Sequence, residues 1–584
     1  MITLDIESEA IEFGSPLLPK PVGISIKERG KEGIYLAFGH PEGNTCTWDD
    51  AKRVVSHFWS GPIITHNGAT FDIPVLQHWF ELPERDPLLT HDTLFLAYLH
   101  NPHARSLSLK DLAVDWLGMD KNEQDELHDW IVMNVPECRG RKGAGAYIAK
   151  APGGLVGRYA NADTAMTERL FDHLHEIVTE TMLEPYQREL RLAPILVEIQ
   201  NRGIRCEAGR LEEDYRTAMT KLHKLDAEVR RELNAPELNP GSNKELGAVL
   251  KAQGYTGFLS TAKGAMSVGK DSLDKALANA PNLHKLLRDR NTLATLTGTF
   301  MGPWLEIAHK NSGFIHAQYN QVRNPEGYGT RTGRLSSSNP NFQNVPGDLG
   351  GEYPEMRSYL LPDEGQVWTC GDFKSQEPRL TAHFEDGALC EAFNENPDLD
   401  PYLFVVDVLS GSVKRKEAKA IFLGLIYSQG VALLAEKLEC EQSYASTMRN
   451  IIKGALPDVV ELDKTCKRRF ETGLAIKTLG GRFYFCEPPA SGRSWAYKAL
   501  NTLIQGSAAD QTKEALIFAH KEFRLLDPSI RLLGTVHDEF SVSHPVEHKK
   551  NVYEIMQLAA NALPCDVPMR MDIFTGDRWS SAEE

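Results

Sequence analysis

The chain opens on short apolar runs that alternate with amphipathic stretches. MITLDIE, VGISIK, GIYLAF and PIITHN have the length and β-branched content of strands, whereas WDDAKRVVSHFW and FDIPVLQHWF space their apolar residues three and four apart, as helices do. This alternation predicts an α/β domain over residues 1–182. Within it, DKNEQDELHDW through RGRKGAGAYIAKAPGG reads as a polar, glycine-rich excursion. From about 185 to 310 the periodicity is helical, as in YQRELRLAPILVEIQNRG and KLHKLDAEVRRELN. From about 311 onward strand-like and helical segments mix around loops such as YGTRTGRLSSSNPNFQNVPG. LLGTV and FSVS, on either side of HDE, predict a hairpin near the end of the chain.

Composition narrows the class. A length of 584 residues suggests about four domains at roughly 150 residues each. With 41% hydrophobic and 25% charged residues the chain is ordinary globular material. No apolar run approaches the ~18 residues of a membrane span, and the N-terminus has no basic, signal-like segment. No membrane association and a cytoplasmic location are therefore expected. Nine cysteines without a CxxC pair read as reduced thiols. The net charge of −16 argues against bulk electrostatic attraction to nucleic acid and leaves local attraction open. Two basic runs, Lys414–Lys419 and Lys464–Phe470, read either as solvated helix faces or as local grips for phosphate.

Candidate chemistry appears first near the N-terminus. Asp5 and Glu7 lie two apart in a strand and so on one face. Asp72 follows a glycine-containing turn at a helix start, and Tyr159 and Asp163 lie four apart on one helix face. Hard oxygen donors of this kind suit Mg²⁺ or Mn²⁺. In this order the segments resemble the three motifs of DEDDy-type 3′–5′ exonucleases. The resemblance implies that Asp5, Glu7, Asp72 and Asp163 hold two metal ions while Tyr159 orients the attacking water.

A second group lies farther on. Asp372 ends the strand-like VWTCGD, with Glu377 five residues on. Arg415, Lys419, Leu423 and Tyr427 are spaced by four and form one slowly turning helical stripe, cationic at one end and apolar or aromatic at the other. That stripe suits a triphosphate at one end and a base and sugar at the other. Asp538 and Glu539 sit side by side at the tip of the expected hairpin. The segments Asp372–Arg379, Arg415–Tyr427 and Val536–Glu539 resemble motifs A, B and C of family A DNA polymerases, in that order. Thr332–Pro346 and Asn501–Asp510 resemble two further blocks of the same family.

This resemblance covers nearly the whole chain. It implies a multidomain α/β protein, with an RNase H-like exonuclease domain at 1–182 followed by a right-hand polymerase at 183–584. The thumb falls at about 190–310, the palm at about 311–405 and 495–584, and the fingers at about 406–494. Asp372 and Asp538, with the Phe373 carbonyl, would hold two Mg²⁺ ions. Arg415 and Lys419 would grip the triphosphate, with Lys419 a candidate acid for the departing pyrophosphate. Glu377, supported by Tyr427, would exclude a 2′-hydroxyl, and Leu423 and His537 would complete the nucleotide site. Arg334, Gln343, Asn344, Asn501 and Gln505 would contact primer–template DNA in the degenerate minor groove. Glu539 would act from behind Asp538, pointing elsewhere.

Some positions depart from the family pattern. Leu423 stands where Phe or Tyr is usual, Ser428 where Gly is frequent, Pro378 where Leu is common and Tyr497 where Arg is common. No 5′-nuclease domain is expected, and residues 201–310 look too short for a large thumb insertion, which leaves a replisome partner open. The compact arrangement resembles phage replicative enzymes. Two alternatives stay open: a repair polymerase with weak or absent proofreading, and a nucleic-acid-binding protein on a polymerase scaffold.

Overall fold

The computed structural model describes residues 1–119, 125–261, 264–323, 329–489 and 494–582. Asp120–Gln124 of the expected excursion and Tyr328, the first residue of the YGTRTGRL loop, lie outside these residues. The chain forms two units: one of residues 1–202, 317–343 and 369–575, the other of residues 203–316, 344–368 and 576–584.

The larger unit begins with a five-stranded mixed sheet. Its central strand, Ile2–Ser8, pairs antiparallel with Pro21–Glu28, which pairs antiparallel with Ile34–Ala37. On its other side it runs parallel to Ile63–Thr65, and that strand parallel to Thr90–Asp92. Ile2, Leu4 and Ile6 share one core with Ala51 and Val55 of helix Trp48–Phe58 and Ile73 and Leu76 of helix Asp72–Phe80. The strand's period of two therefore sends Asp5 and Glu7 to the opposite face. That face is covered by the long helix Gly153–Arg202, where Ser25, the cross-strand partner of Asp5, bonds Asn161 (2.8 Å).

The expected polar excursion is more ordered than its composition suggests. Helix Asp125–Asn134 and the 3₁₀ segment Arg141–Lys150 bury Leu127, Ile131, Ala144 and Ile148 against Leu155 and Val156. The sequence pattern hid this because the apolar residues are sparse between glycines and charges. The helix Gly153–Arg202 breaks its helical geometry at Met182 (φ −132°), three residues ahead of Pro185. Proline lacks the N–H that a continuous helix needs, and it crowds the preceding turn. The domain boundary expected at 182 thus falls on a kink inside one helix.

A four-stranded sheet carries the rest of the chemistry. Its order is Arg531–Val536, Glu539–His544, Val367–Phe373, Met571–Gly576. Beside it lie helices Gln376–Glu385 and Ala499–Leu526, and a helical group that includes Arg415–Ile426 and Pro457–Glu471 shares a core with them. The smaller unit is helical: Ala208–Glu232, Asn243–Ala252, Lys270–Ala276 and Pro281–Thr295 close on Val229, Leu246, Leu250, Leu273 and Leu287. A three-stranded sheet of Leu360–Leu361, Ile204–Cys206 and Phe314–Ile315 belongs to the same unit.

Buried ion pairs knit the larger unit. Lys513 Nζ lies 2.7 Å from Glu189 Oε1, Arg188 Nε 2.9 Å from Glu514 Oε2, and Arg482 Nη2 2.5 Å from Asp510 Oδ1. They tie helix Gly153–Arg202 to helix Ala499–Leu526, and the latter to the hairpin of Ile476–Lys477 and Phe483–Tyr484. Desolvation offsets much of the Coulomb gain, so such pairs fix geometry more than they add stability. Lys513→Met strands the Glu189 carboxylate and should cost about 3–5 kcal/mol, read from the urea midpoint. Adding Glu189→Gln should recover much of that loss; no recovery would contradict a paired-charge origin.

Candidate active sites

The first site gathers all five residues predicted for it. Asp72 is the first residue of its helix, and its Oδ1 accepts the Ile6 N–H at 2.9 Å, which staples it to the strand between Asp5 and Glu7. The turn that delivers it, with Asn67 at φ +65°, is held by Asp92. This fully buried carboxylate accepts from the N–H groups of Asn67 (2.8 Å), Ala69 (3.0 Å) and Leu94 (2.9 Å). Tyr159 and Asp163 arrive together on the helix face that covers the sheet.

Lys110, unanticipated from the sequence, completes the site. It sits in the first turn of helix Leu109–Leu117, capped by Ser108. Its Nζ lies 3.4 Å from Asp163 Oδ1 and 3.8 Å from the Tyr159 ring centre. The Ser–Leu–Lys spacing announced a helix start but gave no sign of where the ammonium would end. Burial, then the neighbouring acids, raise Asp5 and Glu7 well above the usual carboxylate range. Burial pushes Asp72 up to about 7 and lowers Lys110.

The second site is built where two strands meet. Val536 pairs with Glu539 across a tip formed by His537 and Asp538, and His537 adopts φ +56°, an unusual backbone for a residue with a Cβ. Gln343 fixes that tip. Its Oε1 accepts the His537 N–H (2.7 Å) and its Nε2 donates to Thr535 O (2.9 Å). Phe373 N–H donates to Asp538 O (3.1 Å), which joins the strand carrying Asp372 to the tip. Burial, then Asp538, then Glu539 and Asp572, push Asp372 up to about 8, with Lys419 opposing. Glu539 therefore does not point away, as expected from the sequence. It bears on Asp372 more weakly than Asp538 does, and also on the buried Cys370 thiol. Asp572 was not predicted because nothing in its local sequence indicates that the last strand lies beside Val367–Phe373.

Glu377, in the first turn of helix Gln376–Glu385, is clasped by the Arg334 guanidinium and by the Tyr427 hydroxyl. Arg334 is thus engaged within the protein, as is Gln343. Arg415 Nε lies 2.6 Å from Asp400 Oδ2, and Arg415 and Lys419 both approach the Tyr402 ring, at 5.3 and 5.5 Å. Leu423 packs partly buried against the neighbouring core. Asn501 and Gln505 share one face of helix Ala499–Leu526, half-exposed, and Asn344 is exposed. Arg379 is buried and donates to the carbonyls of Lys374 (2.9 Å), Pro568 (2.6 Å) and Pro397 (2.6 Å), a structural duty. Pro378 occupies the first helical turn, where its missing N–H costs nothing, so it does not interrupt the motif. Ser428 sits at φ +50°, which accounts for the glycine expected there.

Among the described residues, no three His, Cys, Asp or Glu side chains form a ready cage for an ion. Two carboxylates with open positions nonetheless suit Mg²⁺, whose shell is commonly completed by water and substrate phosphate. Mutual repulsion at Asp372 and across Asp5, Glu7 and Asp72 is the signature of a site that an added cation would relieve.

The DNA polymerase family A model matches residues 208–581, and a 3′–5′ exonuclease model matches residues 3–179. The chain is 27% identical over 487 residues to a DNA-directed DNA polymerase of Pseudomonas phage M6, covering 73% of this chain and 71% of the relative. It is 28% identical to DNA polymerase DpoZ of Salmonella phage PMBT28, covering 93% of each. It also resembles the solved POL domain of Pol1 from M. smegmatis in complex with DNA primer-template and dNTP. That likeness has a TM-score of 0.77 at 22% identity and spans 100% of this chain and 96% of the other.

The raised carboxyl groups set a pH dependence. In metal-free folded protein they bind protons up to about pH 7–8, where the unfolded chain has released them. Stability without divalent ions should therefore fall as pH rises from about 5 to 8. Thermal midpoints in EDTA across that range should decline, and the decline should flatten in Asp372→Asn. A midpoint that rises steadily with pH in both proteins would contradict the assigned repulsion.

Proposed function

The chain belongs to DNA polymerase family A and carries a 3′–5′ exonuclease domain, and from that premise we propose how its residues divide the two activities. The chain extends a primer 3′ end with deoxynucleoside triphosphates on a DNA template, and removes nucleotides from that end at a second site. The exonuclease domain comprises residues 1–182 and the polymerase domain 183–584. Within the latter the thumb is about 190–310, the palm about 311–405 and 495–584, and the fingers about 406–494. Relatives from phages favour the cytoplasm of an infected host as its location.

The observation that carries the polymerase reading is the bond from Phe373 N–H to Asp538 O, which brings Asp372 and Asp538 to one place. Asp372, Asp538 and the Phe373 carbonyl would hold Mg²⁺, or Mn²⁺, in the polymerase site, and Asp5, Glu7, Asp72 and Asp163 would do so in the exonuclease site. Such ions, when bound, supply positive charge at the attacking and leaving oxygens. Arg415 exchanges Asp400 for the triphosphate, which it grips through two parallel N–H bonds. Lys419 binds beside it and delivers a proton toward departing pyrophosphate. Leu423 and Tyr427 bound the base and sugar, and His537 lies at the primer end.

Glu377 selects the sugar. With both carboxylate oxygens engaged by Arg334 and Tyr427, it occupies the space a 2′-hydroxyl would need. Arg334, Gln343, Asn344, Asn501 and Gln505 meet primer and template, the first two while also bracing Glu377 and the hairpin tip. In the exonuclease site Tyr159 positions the water, with Lys110 against its ring. Glu539 supports the polymerase acids from the next position.

Asp538→Asn should lower primer extension on the order of 10²–10³-fold or more and leave degradation of single strands intact. Asp163→Ala should do the reverse. Extension that survives the first change, or degradation that survives the second, would remove the corresponding assignment.

A further inference from the structure

The loop that carries Arg334 is fastened to the exonuclease domain. Tyr98, buried in helix Thr93–His100 of that domain, donates its hydroxyl to Thr330 O at 3.1 Å. Arg323, whose Cα lies so close to Gly329 at the start of that turn that a Cβ on the glycine would stand 2.7 Å from it, donates to Ala104 O (2.9 Å) and Arg105 O (3.4 Å). Both carbonyls follow Tyr98's helix in the exonuclease domain. Between these ties and Glu377 the turn is rigidly specified. Thr330 Oγ1 donates to Arg334 O (2.8 Å) and closes the turn. Gly333 adopts φ +89°, and a Cβ there would stand 1.7 Å from Arg482 Nη1.

The turn therefore lies flat on the Arg482 guanidinium, which is itself fixed by Asp510 (2.5 Å) and Gly506 O (3.0 Å). Arg331 adds a lateral tie to Glu487 Oε1 (2.5 Å). Only glycine admits so close an approach of backbone to a buried side chain. Arg334 leaves this turn to pair with Glu377, whose other oxygen takes the Tyr427 hydroxyl. A lateral shift of the turn would move the guanidinium, and with it the carboxylate that faces the sugar.

We propose that Tyr98 and Arg323 are positioning residues for sugar selection: the exonuclease domain sets the place of Arg334 and, through it, of Glu377 in the polymerase site. The inference rests on the reading of Glu377 as the element that excludes a 2′-hydroxyl. Neither residue is among those assigned to the nucleotide, and neither belongs to the exonuclease acids. Their loss should leave deoxynucleotide incorporation and single-strand degradation nearly unchanged while relaxing the choice of sugar.

The test is the ratio of ribonucleotide to deoxynucleotide incorporation by the full chain in one reaction, which cancels any loss of folded protein. Glu377→Ala should raise the ratio strongly. Tyr98→Phe, which removes the hydrogen bond to Thr330 O and keeps the ring, should raise it about two- to tenfold, the range one hydrogen bond spans. Arg323→Ala should move it the same way. In the Glu377→Ala background, Tyr98→Phe should have no further effect, because the two act along one line. If Glu377→Ala raises the ratio while Tyr98→Phe and Arg323→Ala leave it unchanged, the inference is overturned and Glu377 keeps its role. An undiminished Tyr98→Phe effect in the Glu377→Ala background also overturns it. If Glu377→Ala itself has no effect, the reading of Glu377 falls, and the inference with it.

Discussion

Asp372 and Asp538 repel each other, and the backbone bond from Phe373 to Asp538 holds their strands together despite it. Much of the larger unit serves that constraint. The hairpin tip takes a left-handed backbone at His537, and Gln343 supplies both a donor and an acceptor to fix it. The exonuclease site solves the same problem in another way: Asp72 is tied to the strand that carries Asp5 and Glu7, and Asp92 ties the loop that delivers it. In both places, ordinary hydrogen bonds hold carboxylates closer than their charges favour.

The cations follow a matching rule. Arg415 rests on Asp400, Arg334 on Glu377 and Lys110 on Asp163. These three positive groups are each already paired with an acid, whereas Lys419 lies against the Tyr402 ring. In a chain of net charge −16, the proposed binding of DNA and nucleotide therefore exchanges one partner for another rather than filling an empty basic surface. This also explains why composition argued against nucleic acid while the motifs argued for it. The relevant charges are few and are positioned one by one.

What was legible in the sequence was local or periodic. The strand period placed Asp5 and Glu7 on one face, and the helix period placed Tyr159 with Asp163 and aligned Arg415, Lys419, Leu423 and Tyr427. The family resemblance joined segments as distant as Asp372 and Asp538. What stayed hidden depends on pairings that no local pattern encodes. Asp572 is near Asp372 only because the last strand lies beside Val367–Phe373, and Lys110 reaches Tyr159 only because two helices meet. The small core around Leu127 and Ile131 was masked by its polar composition. Glu539 was misdirected because a tight tip, with Val536 paired to Glu539, keeps both acids within reach of Asp372.

On the proposed assignment, one chain holds two separate acid clusters with opposite effects on the same primer end. A 5′-labelled primer annealed to a longer template, incubated with the full chain and Mg²⁺ with and without deoxynucleoside triphosphates, tests it most directly. The primer should lengthen when the triphosphates are present and shorten stepwise when they are absent. A primer left unchanged under both conditions would contradict it.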